Sequence, residues 1–295
     1  MTSTCLRVIL FSLAASTAAI PAMGAPLVGQ ALLSTGAIIK FDPAAPTPFT
    51  AIGIPGYEPA IGSDGSIYAV WNNEVLKVDK EGNVTVHANG ILVNTYGLAI
   101  DADDNLFVAN KSSNSIQKID PNGVVTIFSD SPLLNGPFDL VFDGIGRLLA
   151  SNSDGGNILR FDSAGNATVF ATGVGVAMGM EFGPNGDLFV VSNVAAEVRR
   201  VSPVGEVSLF AKTAPMNHPW DVGFDASGHV YVASYWSSYL LKLNLSGQTL
   251  EQVSLPNGAR GHFINFVVPE PVSNAVVSPL LPALALLCRR QTRMR

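Results

Sequence analysis

FDASGHVYVA, residues 224–233, decides the fold once it is set beside four other stretches. These are IGSDGSIYAV (61–70), IDADDNLFVA (100–109), FDGIGRLLAS (142–151) and FGPNGDLFVV (182–191). Each joins two apolar strands through an Asp/Gly/Asn turn. A third short strand follows, VLKVD, IQKID, ILRFD, VRRVS or LLKLN, and then a fourth. The copies run Gly56–Gly90, Thr95–Pro132, Gly136–Gly173, Ala177–Thr213 and His218–Leu255, and their turn residues Gly65, Asp104, Gly146, Gly186 and Gly228 lie 39, 42, 40 and 42 residues apart. Four short strands in about 40 residues is the period of a β-propeller blade. One blade cannot bury its own apolar faces, so the repetition dictates an all-β propeller.

The flanks supply one more blade between them. Leu27–Leu33 and Ala37–Phe41, after Pro26, match the second and third strands of a blade, and Phe49–Ile54 serves as the fourth. The missing inner strand comes from the other end, where Gly261–Phe266 (GHFINF) aligns with PFDLVF and PWDVGF. Such closure covers strand edges that would otherwise invite aggregation. The expectation is a six-bladed β-propeller of four-stranded blades over residues 25–267. PFDLVFD, PWDVGFD, NLFVAN and the strand ends KID and RFD resemble the NHL-repeat and SMP-30/gluconolactonase-like propeller superfamily, across roughly residues 27–266. That resemblance is specific for fold and weak for activity, because propellers carry unrelated functions.

Residues 1–24 read as a secretory signal peptide. Arg7 is followed by an apolar run, Val8–Ile20, and by the small residues of Ala22-Met23-Gly24. At the other end, residues 268–295 resemble a PEP-CTERM sorting tail. Pro269, Glu270 and Pro271 match its motif, Val272–Leu287 its apolar segment, and Arg289 and Arg290, with Arg293 and Arg295, its basic terminus. The segment is short and contains Pro279 and Pro282, a departure that favours transient membrane association over stable spanning. The resemblance implies export in a Gram-negative-type bacterium, an exosortase-type membrane enzyme as processing partner, and an exopolysaccharide setting at the cell surface or in the matrix.

Setting aside Arg7, the four tail arginines and Glu270 leaves 12 basic and 22 acidic residues, a balance of about −10 for residues 25–267. That charge repels phosphate and excludes nucleic acid as a partner; cations and neutral sugars suit it better. Both cysteines, Cys5 and Cys288, lie in the end segments, so the propeller has no disulfide. A monomer is expected. No zinc cluster, phosphate loop or nucleophile elbow is present.

Aligning the inner strands on Ile61, Ile100, Phe142, Phe182, Phe224 and Phe266 exposes two rings of interest. Four positions earlier stand Tyr57, Tyr96, Phe138, Met178, Trp220 and His262. In SMP-30-like lactonases that position holds carboxylate and amide ligands of a catalytic metal, and here it holds none. The band either forms an aromatic channel mouth for a sugar or another flat ligand, or it plugs the channel. One residue on stand Glu58, Gly97, Asp139, Gly179, Asp221 and Phe263. Its three carboxylates are either a calcium site or acceptors of backbone N–H groups. Strand alternation lets only one of the two rings face the channel. Asn72, Asn110, Asn152 and Asn193, each after a second strand, read as turn-forming residues.

Three functions follow from these residues. The first is a non-catalytic binding propeller of the cell surface or matrix, with a polysaccharide or other envelope component as partner. The second is an enzyme, a diverged SMP-30-like hydrolase or a lyase resembling the streptogramin-inactivating propellers, with His218 and His262 beside Glu58 or Asp221 as residues to test. The third is a structural matrix protein. No cofactor is assigned apart from the calcium reading.

Overall fold

The computed structural model describes residues 31–34, 36–41, 49–71, 73–90, 94–214, 216, 218–255, 261 and 263–266. The signal peptide, the sorting tail, Asn72 and His262 lie outside these residues.

Each hairpin is built by a local device. In the turn after Phe224, the Asp225 carboxylate accepts the N–H groups of Ser227 and His229, both at 2.9 Å, and Gly228 takes φ 80°. The left-handed conformation closes the turn without a Cβ penalty. The same pair of acceptor contacts, two and four residues on, recurs at Asp79, Asp101, Asp120, Asp143, Asp162 and Asn244. The Asp or Asn ending so many strands is therefore the residue that starts the next turn.

The strands so connected are β1 (Ala31–Ser34), β2 (Gly36–Phe41), β3 (Phe49–Ile61), β4 (Ile67–Trp71), β5 (Glu74–Val78) and β6 (Val84–Asn89). A second group is β7 (Thr95–Ile100), β8 (Leu106–Asn110), β9 (Ser115–Ile119) and β10 (Val125–Ser129). A third is β11 (Pro137–Phe142), β12 (Leu148–Asn152), β13 (Asn157–Phe161) and β14 (Ala167–Thr172). Then come β15 (Ala177–Phe182), β16 (Leu188–Ser192), β17 (Glu197–Val201) and β18 (Val207–Lys212), followed by β19 (Pro219–Phe224), β20 (Val230–Ser234), β21 (Tyr239–Leu243), β22 (Thr249–Ser254) and β23 (Phe263–Phe266).

Among the described residues these strands form five sheets, so the expectation of six blades is corrected. Four sheets have four strands; the first has seven, in the order β23-β1-β2-β3-β4-β5-β6. The cause lies in β3, which runs unbroken for 13 residues and pairs with β2 up to Gly56 and with β4 from Tyr57 onward. Elsewhere a loop separates an outer strand from the next inner strand, as at Asp130–Gly136 between β10 and β11. Ile54-Pro55-Gly56 passes straight through and fuses two expected blades into one sheet. The two chain ends do meet: β23 lies antiparallel to β1, with Ala31 opposite Phe266 and Ser34 opposite Phe263.

The inner strands surround a channel, where β3, β7, β11, β15, β19 and β23 contact one another in turn and β23 returns to β3. Second strands are buried along their length, as in LFVAN of β8 and VYVAS of β20, because neighbouring sheets cover both faces. Phe161 and Tyr231 are among the largest fully enclosed side chains, each adding about 1.5–3 kcal/mol of apolar burial. The channel has two unlike ends. Inner strands start, and second strands end, on a loop face; the Asp-started turns crowd the opposite turn face.

Candidate functional site

Five of the six inner strands carry a register irregularity at the two rings singled out in the sequence, and β23 pairs with β1 without one. The shifts fall between Tyr57 and Ala60, Thr95 and Leu98, Pro137 and Leu140, Ala177 and Met180, and Pro219 and Asp221. A bulge interrupts strand alternation and re-aims side chains. It sends the two rings to different places, the carboxylates into the channel and the aromatic band into packing toward the loop face.

Glu58, Asp139 and Asp221 line a cavity of about 1060 Å³ that reaches the turn face, together with Glu181 and the turn residues Asp101, Asp104 and Asp143. The three ring carboxylates are buried. Asp139 accepts the N–H of Leu140 and, across to the next inner strand, that of Met180, both at 2.7 Å. Asp221 repeats the move, accepting Ile264 N–H at 2.8 Å from 43 residues away. The intervening glycines make room for it. A Cβ at Gly97 would stand 2.6 Å from Asp139 Cα, and one at Gly179 would overlap the Asp221 carboxylate. The alternation of acid and glycine round the ring is thus an interlock between successive inner strands.

Burial first, and then mutual repulsion with Asp139, Asp221 and Glu181, hold the Glu58 carboxyl well above the usual carboxylate range. Burial and the Asp139 charge do the same to Asp221. Burial pushes Asp139 and Glu181 up to about 7, against the pull of the N–H groups bonded to them. Glu58 differs from its ring partners in one respect: its Oε2 is buried and has no hydrogen-bond partner.

The calcium reading of Glu58, Asp139 and Asp221 gains no support from this arrangement. Among the described residues no set of three or more His, Cys, Asp or Glu side chains is arranged to hold a metal ion. Both aspartates spend acceptor capacity on backbone N–H groups of the next strand, whereas calcium asks for six to eight converging oxygens. At the position that corresponds to the lactonase metal ligands, the described side chains are the packed Tyr96, Phe138, Met178 and Trp220.

Of that band, Phe138 and Met178 are buried at 1% and 6% exposure, in one cluster with Phe263. Phe138 stacks on Tyr96 at 4.7 Å and on Phe263 at 5.9 Å, and meets Trp220 edge-on at 5.3 Å. Only the backbone of Tyr57 is described. Two residues not singled out in the sequence continue the aromatic run outward. Trp220 lies 5.5 Å from Tyr235, and Tyr235 lies 4.9 Å from Trp236, which is 59% exposed on the β20–β21 loop. The signal was present in SYWSSY (234–239), where the loop between two strands carries Tyr235 and Trp236 and the next strand opens on Tyr239.

His218 is exposed at φ 50° on the loop face, while Glu58 and Asp221 open toward the turn face. His229 is bonded through Nδ1 to Asp225 at 2.9 Å, so it belongs to its turn. The asparagines act in the framework: Asn152 accepts Asn135 N–H at 2.6 Å, and Asn193 donates to Pro219 O at 2.9 Å in the next sheet.

A family model described as "Repeat of unknown function (DUF6923)" matches residues 31–208. The chain belongs to that repeat family. No curated protein matches it. Among solved structures, a chain of a nidogen/laminin complex superposes with a TM-score of 0.69 at 15% identity, covering 80% of this chain and 97% of the other. Virginiamycin B lyase from Staphylococcus aureus gives 0.59 at 16%, covering 70% and 73%. A gluconolactonase from Xanthomonas campestris gives 0.62 at 18%, covering 70% and 78%. At these identities the likeness is one of fold: this member of the repeat family has the propeller fold seen in those structures.

Proposed function

We propose that this repeat protein is an exported, non-catalytic binding propeller of the bacterial cell surface or matrix, and that its loop face holds a sugar ring of an envelope polysaccharide. One observation carries the reading: an aromatic run, Tyr96–Phe138–Trp220–Tyr235–Trp236, leads from the closed channel to an exposed indole. Its inner members are packed on one another, which fixes the outer ones. Trp236 then offers the flat apolar surface on which a sugar stacks. The acidic balance of residues 25–267 favours a neutral or cationic glycan.

Export rests on residues 1–24 and on the tail. An exosortase-type enzyme would process the tail at Pro269-Glu270-Pro271, with Arg289 and Arg290 held on the cytoplasmic side by the positive-inside rule. The hydrolase and lyase readings draw no support from His218, and their other residue to test, His262, lies outside the described residues. His218 lies on the loop face, whereas Glu58 and Asp221 line the cavity that reaches the turn face, so these described residues do not share a site.

The test is affinity electrophoresis of the purified protein through gels containing exopolysaccharide, with tryptophan fluorescence as a second readout. Retardation lost in Trp236→Ala, with an unchanged unfolding midpoint, is the expected result. Equal mobility of both proteins with and without glycan would remove the sugar and leave the structural-matrix reading.

A further inference from the structure

The repeat that builds the sheets also joins them to one another. In β6, β10, β14 and β18 one residue is skipped in the pairing with the third strand: His87, Phe128, Phe170 and Phe210. Each is the extra residue of a bulge, which turns it out of the regular ladder. Its carbonyl meets the next sheet. A Cβ on Gly123 would stand 2.2 Å from His87 O. Gly165 and Phe128 O, Gly205 and Phe170 O, and Gly247 and Phe210 O repeat the approach at 2.0, 2.3 and 2.4 Å. The ring packs back on its own sheet. Phe128 and Phe210 meet Phe107 and Phe189 edge-on at 5.0 and 4.8 Å, and His87 meets Tyr68 in the same way at 5.1 Å. At the fourth seam Arg160 lies over the Phe170 ring at 5.3 Å.

Three of these four seams are therefore closed by phenylalanine. The seam between the first and second sheets is closed by an imidazole, which does what a phenyl ring cannot. It donates a hydrogen bond across the seam to the backbone carbonyl of Asp120, in the β9–β10 turn. The other ring nitrogen, Nε2, is buried and has no hydrogen-bond partner. In the neutral ring Nε2 carries only a lone pair. A second proton turns it into a charged N–H donor without an acceptor, and that is much the costlier state in a buried position.

We propose that His87 is an acid-sensitive latch in the wall of the propeller: when its imidazole takes up a second proton, the seam between β6 and the β9–β10 turn loosens while the phenylalanine seams hold. Among the described residues the titratable groups that face the ring are Tyr68 on β4, Lys77 on β5 and Asp120 in the β9–β10 turn. The Asp120 carboxylate already accepts the N–H groups of Asn122 and Val124, both at 2.9 Å, so it stays with its own turn. Lys77 lies over Tyr68 at 5.3 Å and adds a like charge beside a protonated His87.

Burial, with the Lys77 charge, holds His87 below the usual histidine range, against the pull of the Asp120 carbonyl and carboxylate. In the opened seam the wetted imidazole binds its second proton more readily than in the closed one, so acid favours opening. Stability from this group is full above the usual histidine range. It is lost as the pH falls through that range toward the depressed value. Glu58, Asp139, Glu181 and Asp221 act in the opposite sense, because burial makes them hold protons when folded. The readout therefore has to be local to the seam.

The experiment is hydrogen exchange of the purified protein read by mass spectrometry at pH 5 and pH 7, each rate divided by its intrinsic value at that pH. Peptides covering β6 and residues 120–124 should lose protection at pH 5, by up to about tenfold if the opened imidazole binds its proton ten times more tightly. Peptides covering β14 and β18 serve as internal controls and should hold their protection. His87→Phe, which copies the sibling seams, should abolish the difference between the two pH values. Should His87→Phe fail to fold, Lys77→Gln carries the test: without that charge the seam opens at higher pH, and an unmoved transition overturns the proposal. Equal protection of the seam peptides at both pH values, equal losses at all four seams, or a pH dependence that survives His87→Phe would each overturn it as well.

Discussion

Replacing Gly179 with alanine tests the interlock between inner strands. An ideal Cβ there overlaps the Asp221 carboxylate and stands 2.6 Å from Asp221 Cα. The carboxylate can rotate away, but the Cα moves only if β19 moves, and β19 is tied to β23 through Asp221 and Ile264. Overpacking of a filled interior is worth about 1–3 kcal/mol, and weakening the Ile264 hydrogen bond adds about 1 kcal/mol. A stiffer unfolded chain returns about 0.4–1 kcal/mol. At mid-range these give a net destabilisation of about 2 kcal/mol, which lowers the unfolding midpoint by about 4–8 °C for a domain of this size. The assay is thermal unfolding followed by circular dichroism, with Gly144→Ala as control, because a Cβ at Gly144 meets nothing within 4 Å. If the two variants unfold within about 1 kcal/mol of each other, the acid–glycine alternation is not an interlock.

The buried Asp139 sets a second expectation, with a definite sign. Unfolded, the group gives up its proton near 3.8; folded, it keeps it to about 7. The native state therefore holds more protons between those values, and stability from this group is full below pH 4 and lost as pH rises through 7. The drop is at most about 4 kcal/mol, and Asp139→Asn should flatten it in urea midpoints compared at pH 5 and pH 8. In the opposite sense, burial of the exposed turn acids is slight, and hydrogen bonds from the Asn166 side chain and backbone hold Asp162 below the usual range. Its stabilisation is lost on acidification, so Asp162→Asn should narrow the acid limb of the same titration. Asp225 serves a whole turn and also takes the hydroxyl of the buried Tyr231 at 3.2 Å. Asp225→Ala is expected to destabilise by about 2–4 kcal/mol, with Asp225→Asn recovering most of it in the same denaturation assay.

The parts of the fold that were legible in the sequence are those encoded within five residues. Asp225, Gly228 and the strands on either side make a hairpin by themselves, and repetition of that unit announced an all-β propeller with its ends brought together. The sheet count was misjudged through a feature equally local. Ile54-Pro55-Gly56 has none of the spacing that separates Ser129 from Pro137, so the chain had no means of leaving one sheet before entering the next. Both rings were found by alignment, yet the partners of Asp139 and Asp221 are backbone N–H groups at 180 and 264, which no residue type records. The register shifts that divide the rings between two faces have the same character, being set by how neighbouring strands pack and not by composition. Glu58 is the exception among the ring acids. Asp139 and Asp221 reach the neighbouring backbone with the short side chain that fits beside a glycine, whereas the longer Glu58 leaves one oxygen without a donor. The ring acids therefore make two interlocking contacts across neighbouring inner strands among the described residues, and the third acid packs at its position without one.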